Sequence, residues 1–195
     1  MKIYGITGGI GSGKSAASRR FEHHDIPVID ADSVGHGVIM PNGSAFDSVV
    51  EAFGTKILSD GLIDREKLGT VVFQDPDALK KLNSLVHPAV QNEMANRCKE
   101  YAESGKRATL IEAALHGEDG TLRPGMDGLI LVLSPVETRL KRLEELRGID
   151  REESLRRMNN QTPPDEKKSI ATWVLDNSKD LDHLHKQIDA IIPEL

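Results

Sequence analysis

Eight residues near the start of the chain, Gly8-Gly9-Ile10-Gly11-Ser12-Gly13-Lys14-Ser15, fit the pattern G-x-x-x-x-G-K-[ST]. The flanks give the octet its meaning. Ile3-Tyr4-Gly5-Ile6 before it reads as a short buried strand, and residues 16–24 after it read as a helix. A glycine-rich turn between a strand and a helix gathers backbone N–H groups at the positive end of the helix, which makes a nest for a polyphosphate. Glycines let the main chain approach the phosphates and adopt angles that side chains forbid. Lys14 is placed to reach the β- and γ-phosphates, and the Ser15 hydroxyl to sit on Mg²⁺. Gly9, Gly11, Ser12, Gly13 and Ala16 complete the cradle, mainly through their backbone. The pattern implies that the chain binds a nucleoside triphosphate.

Short apolar runs at residues 2–6, 27–29, 109–113, 129–133 and 173–175 read as strands separated by helical stretches. That alternation predicts an α/β fold, a P-loop three-layer core around a parallel five-stranded sheet. The segment between the second and third strands is far longer than one crossover helix requires. It reads as helical throughout: Leu79, Leu82, Leu85 and Val86 share one face, and Val90, Met94, Cys98 and Tyr101 form a second stripe. His87-Pro88 separates the stripes, so one helix is expected to end near Val86 and another to begin with Pro88 in its first turn. The expected organisation is a nucleotide core of residues 1–31, 106–138 and 160–195, a helical substrate-binding insert of residues 32–105, and a small helical lid of residues 139–159. Asp150 followed by Glu153 predicts a capped helix start within the lid.

With 25 basic against 31 acidic residues, the chain has a net charge of -6. That balance argues against a broad surface for nucleic acid or anionic membrane. Cys98 is the only cysteine, which excludes an intramolecular disulfide and a cysteine zinc cage, and its spacing from Val90 and Met94 makes it a core residue. No apolar run approaches the length of a membrane span and no basic-then-apolar leader is visible. The expectation is a cytoplasmic protein, monomeric or weakly self-associating.

Val28-Ile29-Asp30-Ala31-Asp32 places two carboxylates at the end of the second strand, the edge where open α/β sheets bind ligands. If the chain stays extended, Asp30 and Asp32 project to one side. Asp32 can then accept the proton of an attacking hydroxyl or hold Mg²⁺, with Asp30 in support; the bland alternative is capping of the next helix. Arg139 and Arg142, three apart on a helix, can point into one site and supply charge to a transferring phosphoryl group. These residues describe a kinase of a small hydroxylated acceptor, and the lack of an N-K-x-D guanine signature favours ATP. His87 reads equally as a helix-junction residue or a substrate contact.

Taken together, the motifs resemble the dephospho-coenzyme A kinase family. The resemblance runs through the octet, Ile29-Asp30-Ala31-Asp32, Asp64-Arg65-Glu66-Lys67-Leu68-Gly69 with Val72-Phe73, Leu82-Asn83, His87-Pro88, Arg139-Leu140-Lys141-Arg142, Gln161 and Asp176-Asn177. It implies transfer of the ATP γ-phosphate to the ribose 3′-hydroxyl of dephospho-coenzyme A, with Asp32 as base, Lys14 as P-loop lysine, Arg142 as lid arginine, and His87 and Glu118 on the acceptor side. The family's Pro-Leu-Leu-x-Glu run stands here as Ala114-Leu115-His116-Gly117-Glu118, and its second lid arginine is displaced to Arg147. The competing readings are another small-molecule P-loop kinase and an idle nucleotide-binding relative.

Overall fold

The computed structural model describes residues 1–114, 116–117 and 120–195. Its chain divides into two compact units, Met1–Ile29 with Glu100–Leu195, and Asp30–Lys99. The divisions fall at 29/30 and 99/100, slightly before the expected 31/32 and 105/106, and the expected lid segment lies within the first unit.

Five parallel strands form the sheet of the first unit: β1 (Lys2–Thr7), β2 (Val28–Asp30), β5 (Ala108–Glu112), β6 (Gly128–Leu133) and β7 (Trp173–Asp176), in the order β2-β5-β1-β6-β7. Each lies where an apolar run predicted it. Central strands of a parallel sheet are covered on both faces, so they read as unbroken apolar runs rather than as alternations. Ile130, Leu131 and Val132 of β6 are fully buried on this account. Helix α1 (Lys14–His23) buries Ala17, Ser18 and Phe21 on one face, and α8 (Leu181–Ile191) buries Leu184, Ile188 and Ile191. The two helices are tied by Asp189, which accepts hydrogen bonds from Arg20 Nε at 2.8 Å and Nη2 at 2.6 Å and lies 2.8 Å from His24 Nε2. These partners hold the Asp189 carboxyl down at about 2, the Arg20 bonds being the largest influence. Helices α6 (Val136–Arg147) and α7 (Arg151–Asn159) follow β6; Asp150 caps α7 by accepting from the Glu153 N–H at 2.8 Å, as its sequence predicts.

The second unit holds α2 (Ala31–Gly37), α3 (Phe46–Phe53), a hairpin of β3 (Leu58–Ser59) and β4 (Leu62–Ile63), α4 (Arg65–Phe73) and most of α5 (Pro76–Glu103). Its interior is Val34, Val38, Ala45, Val49, Phe53, Ile57, Leu68 and Val72. Asp64 organises the start of α4, accepting from the N–H groups of Glu66 and Lys67 and, at 2.7 Å, from the Ser59 hydroxyl. These bonds hold its carboxyl below the ordinary range.

Three expectations for this region are corrected. It is not helical throughout: Asp60 and Gly61, at φ 51° and 79°, make the two-residue turn that joins β3 to β4. An Asp-Gly pair is the sequence signal for such a turn. Secondly, α5 runs unbroken through His87-Pro88. Proline's fixed φ is itself helical, and the main loss is one backbone bond to the carbonyl four residues back. Ser84 is solvent-exposed, so its carbonyl has access to water. Thirdly, Asp30 and Asp32 do not lie on one extended strand, because the chain turns into α2 at Ala31.

Candidate active site

Residues 8–13 connect the C-terminal end of β1 to the first turn of α1, and their carbonyls are engaged by donors from four directions. Lys14 Nζ donates to the Gly8 carbonyl at 2.7 Å, and Arg139 Nε to that of Ile10 at 2.8 Å. The Ser12 carbonyl accepts from the Asn177 side-chain amide at 2.8 Å and from Arg142 Nη1 at 3.4 Å. Gln161 accepts from the Ile10 N–H at 2.9 Å. With its carbonyl oxygens bound in this way, the turn presents little negative potential to an anion. The first turn of α1 adds N–H groups with no acceptor inside the helix and the positive end of its dipole.

The glycines of the turn answer to its geometry. Gly11 and Gly13 sit at φ 77° and 96°, where other residues are strained. Gly9 leaves room for a guanidinium: a Cβ there would stand 2.5 Å from Arg139 Nη2 and 2.8 Å from its Cζ. Ala16 follows in α1, its N–H bonded to the Gly13 carbonyl at 3.0 Å.

Arg139 and Arg142 converge as their spacing predicts, but on the backbone of the turn. Arg139 is 5% exposed. Arg142 also reaches the Ser134 hydroxyl at 3.2 Å and the Asn177 carbonyl at 3.0 Å. Burial lowers the pKa of both guanidinium groups, from a starting value high enough to keep them charged. They place fixed positive charge beside the phosphate cradle. Farther along the chain, Arg151 pairs with Glu137, and Arg156 and Arg157 pair with Glu153.

Glu112 is a candidate site residue that the sequence reading missed. It ends β5, in register with Ile6 of β1, and its carboxylate faces α1. It accepts from Ser18 Oγ at 2.6 Å and lies 3.4 Å from Ser15 Oγ. A hydroxyl beside a carboxylate is a hard oxygen donor set of the kind Mg²⁺ prefers. An acidic residue closing an apolar run was the available signal.

The remaining candidates belong to the second unit or lie outside the described residues. Asp32 is exposed in the first turn of α2, where Asp30 caps the helix by accepting from the N–H groups of Asp32 at 3.0 Å and Ser33 at 3.3 Å. The capping reading thus holds for Asp30. His87 is exposed at the middle of α5. Both belong to the second unit. Glu118 lies outside the described residues.

A phosphate-binding turn of this build, between the central β1 and α1 of a parallel sheet, defines a P-loop kinase fold. A solved shikimate kinase from Acinetobacter baumannii shares that fold at a TM-score of 0.54 and 14% identity, covering 100% of this chain and 94% of that one. The family model of dephospho-CoA kinase matches residues 2–183. The chain is 38% identical over 196 residues to the dephospho-CoA kinase of Streptomyces avermitilis, covering 100% of this chain and 94% of that protein. To that of Carboxydothermus hydrogenoformans it is 37% identical over 193 residues, covering 98% and 93%. The solved structure of TT1252 from Thermus thermophilus superposes with a TM-score of 0.84 at 33% identity, covering 100% of this chain and 97% of that one. The chain belongs to the dephospho-CoA kinase family, and is an ATP-dependent kinase.

Proposed function

We propose that this kinase transfers the γ-phosphate of ATP to the ribose 3′-hydroxyl of dephospho-coenzyme A, giving coenzyme A and ADP. The observation that carries the reading is the end-to-end match to dephospho-CoA kinases, on a chain whose phosphate turn is fully assembled. The 3′-oxygen forms a bond to the γ-phosphorus as the bond to the β–γ bridging oxygen breaks, and ADP leaves with that electron pair.

Backbone N–H groups of the turn and the α1 N-terminus hold the phosphates, and Lys14 offsets charge on the β- and γ-groups. Ser15 would hold Mg²⁺, with the Glu112 carboxylate beside it to accept the Ser15 hydroxyl proton; the ion when bound neutralises charge on the same phosphates. Asp32 accepts the proton of the 3′-hydroxyl and releases it to solvent; His87 and Glu118 contact the acceptor. Arg139 and Arg142 fix the turn and lend it positive potential. The enzyme is cytoplasmic and monomeric or weakly self-associating in this reading, the latter checked by light scattering.

A coupled assay of ADP release with ATP, Mg²⁺ and dephospho-coenzyme A tests the reading. Turnover with this acceptor, abolished in Lys14→Met, is expected. Folded, ATP-binding protein that leaves dephospho-coenzyme A untouched sinks it, and turnover of another hydroxylated acceptor in a panel reassigns the substrate.

A further inference from the structure

Ser15 and Ser18 are three residues apart on α1, so their side chains leave the helix on the same side. Both reach one carboxylate. Ser18 Oγ donates to Glu112 Oε2 at 2.6 Å, the shorter contact, and Ser15 Oγ stands 3.4 Å from Oε1. The two serines are not equivalent. Ser15 is exposed at the mouth of the cradle, while Ser18 is 5% exposed beneath it. A serine within a helix commonly bonds back to its own preceding turn; Ser18 instead crosses to the end of β5.

We infer that Ser18 is a positioning residue that acts through Glu112 to orient the Ser15 hydroxyl toward the metal–nucleotide. A serine hydroxyl that ligates a cation does so through a lone pair, so its proton must point to another acceptor. Glu112 Oε1 is that acceptor. A carboxylate at a strand end can rotate about its side-chain bonds; the buried Ser18 hydroxyl, bonded to the second oxygen, fixes that rotation. Outer groups that orient a metal ligand commonly matter 10- to 100-fold, about that range, for metal affinity. The inference rests on the proposal that Ser15 meets Mg²⁺ on the nucleotide, and is independent of which acceptor is phosphorylated.

Calorimetric titration of ATP, in excess Mg²⁺ and in EDTA, gives a ratio of dissociation constants that reports the metal's contribution to binding. The comparison needs the wild type, Ser18→Ala, the near-isosteric Glu112→Gln, and the double variant. Glu112→Gln is expected to reduce the Mg²⁺ gain by about 10-fold and Ser18→Ala by about 3- to 10-fold, with affinity in EDTA unchanged within about twofold. In the double variant the loss should equal that of Glu112→Gln alone, since Ser18 would have nothing left to orient. An unaltered Mg²⁺ gain in Ser18→Ala, losses that multiply in the double variant, equal weakening with and without metal, or no Mg²⁺ gain in the wild type would each overturn the inference. Wild-type protein that shows the gain yet ignores dephospho-coenzyme A would remove the proposed acceptor and leave this inference standing.

Discussion

The Asn177 side-chain amide lies beneath the phosphate turn, 2.8 Å from the Ser12 carbonyl, and occupies the space that a Cβ on Gly13 would need. Gly13 is therefore fixed twice, by its φ of 96° and by this neighbour. Gly13→Ala is expected to weaken ATP binding at least about tenfold, as both constraints must be relieved by moving the cradle. Asn177→Ala leaves the Ser12 carbonyl with the longer Arg142 contact and should cost about 1–3 kcal/mol of stability, read from urea unfolding.

Asp32 provides a separate test of the chemical step. A base acts in the transition state and contributes little to holding ATP. Asp32→Asn should lower kcat by about 10²- to 10⁴-fold, with the ATP dissociation constant nearly unchanged. Parallel losses of kcat and Mg²⁺-dependent ATP affinity would assign Asp32 to the metal instead.

Pro88 interrupts the backbone bonding of α5 without ending the helix. Pro88→Ala should restore a bond to the Ser84 carbonyl and raise unfolding free energy by as much as about 3 kcal/mol. His87→Ala, at an exposed position, should leave stability unchanged and raise KM for dephospho-coenzyme A several-fold, with KM for ATP unaffected. A KM for the acceptor equal to wild type would mean that His87 has no part in acceptor binding.

His116 makes the fold sensitive to acid. Its ring is 3% exposed; Nε2 is bonded to the Ile111 carbonyl at 3.0 Å, and no partner for Nδ1 is found among the described residues. Burial, with Arg123 and Lys167 adding to it, pushes its pKa down to about 4. The unfolded chain takes up this proton near 6.5 while the folded one resists it. The stability from neutral His116 is thus complete above about pH 6.5 and is lost as pH falls toward 4. The loss totals up to about 3 kcal/mol. Urea unfolding from pH 7.5 to 4.5 should show that decline, and His116→Gln should flatten the part lying above the carboxylate range.

The strands and phosphate turn were legible because each depends on local order: an unbroken apolar run, or glycines at fixed spacing beside a lysine. What failed depended on partners distant in sequence. Ser18 reads as an ordinary polar helix position, and only the pairing of β5 with β1 brings Glu112 opposite it. The three-residue spacing of Arg139 and Arg142 foretold their convergence, but not that the Arg139 guanidinium would fill the space left open by Gly9. Pro88 shows the opposite failure, in which a local rule was outweighed: the helix continues beyond it to Glu103. The Asp60-Gly61 signal was present, but its strands of two residues each are too short to show a period.

The sheet order also sets a schedule for synthesis. β1 and α1 are synthesised well before the neighbours of β1, since β5 and β6 begin at Ala108 and Gly128. Asn177, which fastens the turn from below, comes later still. Residues 30–99, a compact unit of their own, emerge before either neighbour. The phosphate turn is thus made long before the segments that complete it as a binding site. A nascent chain cannot capture ATP in a finished cradle until Asn177 has been translated.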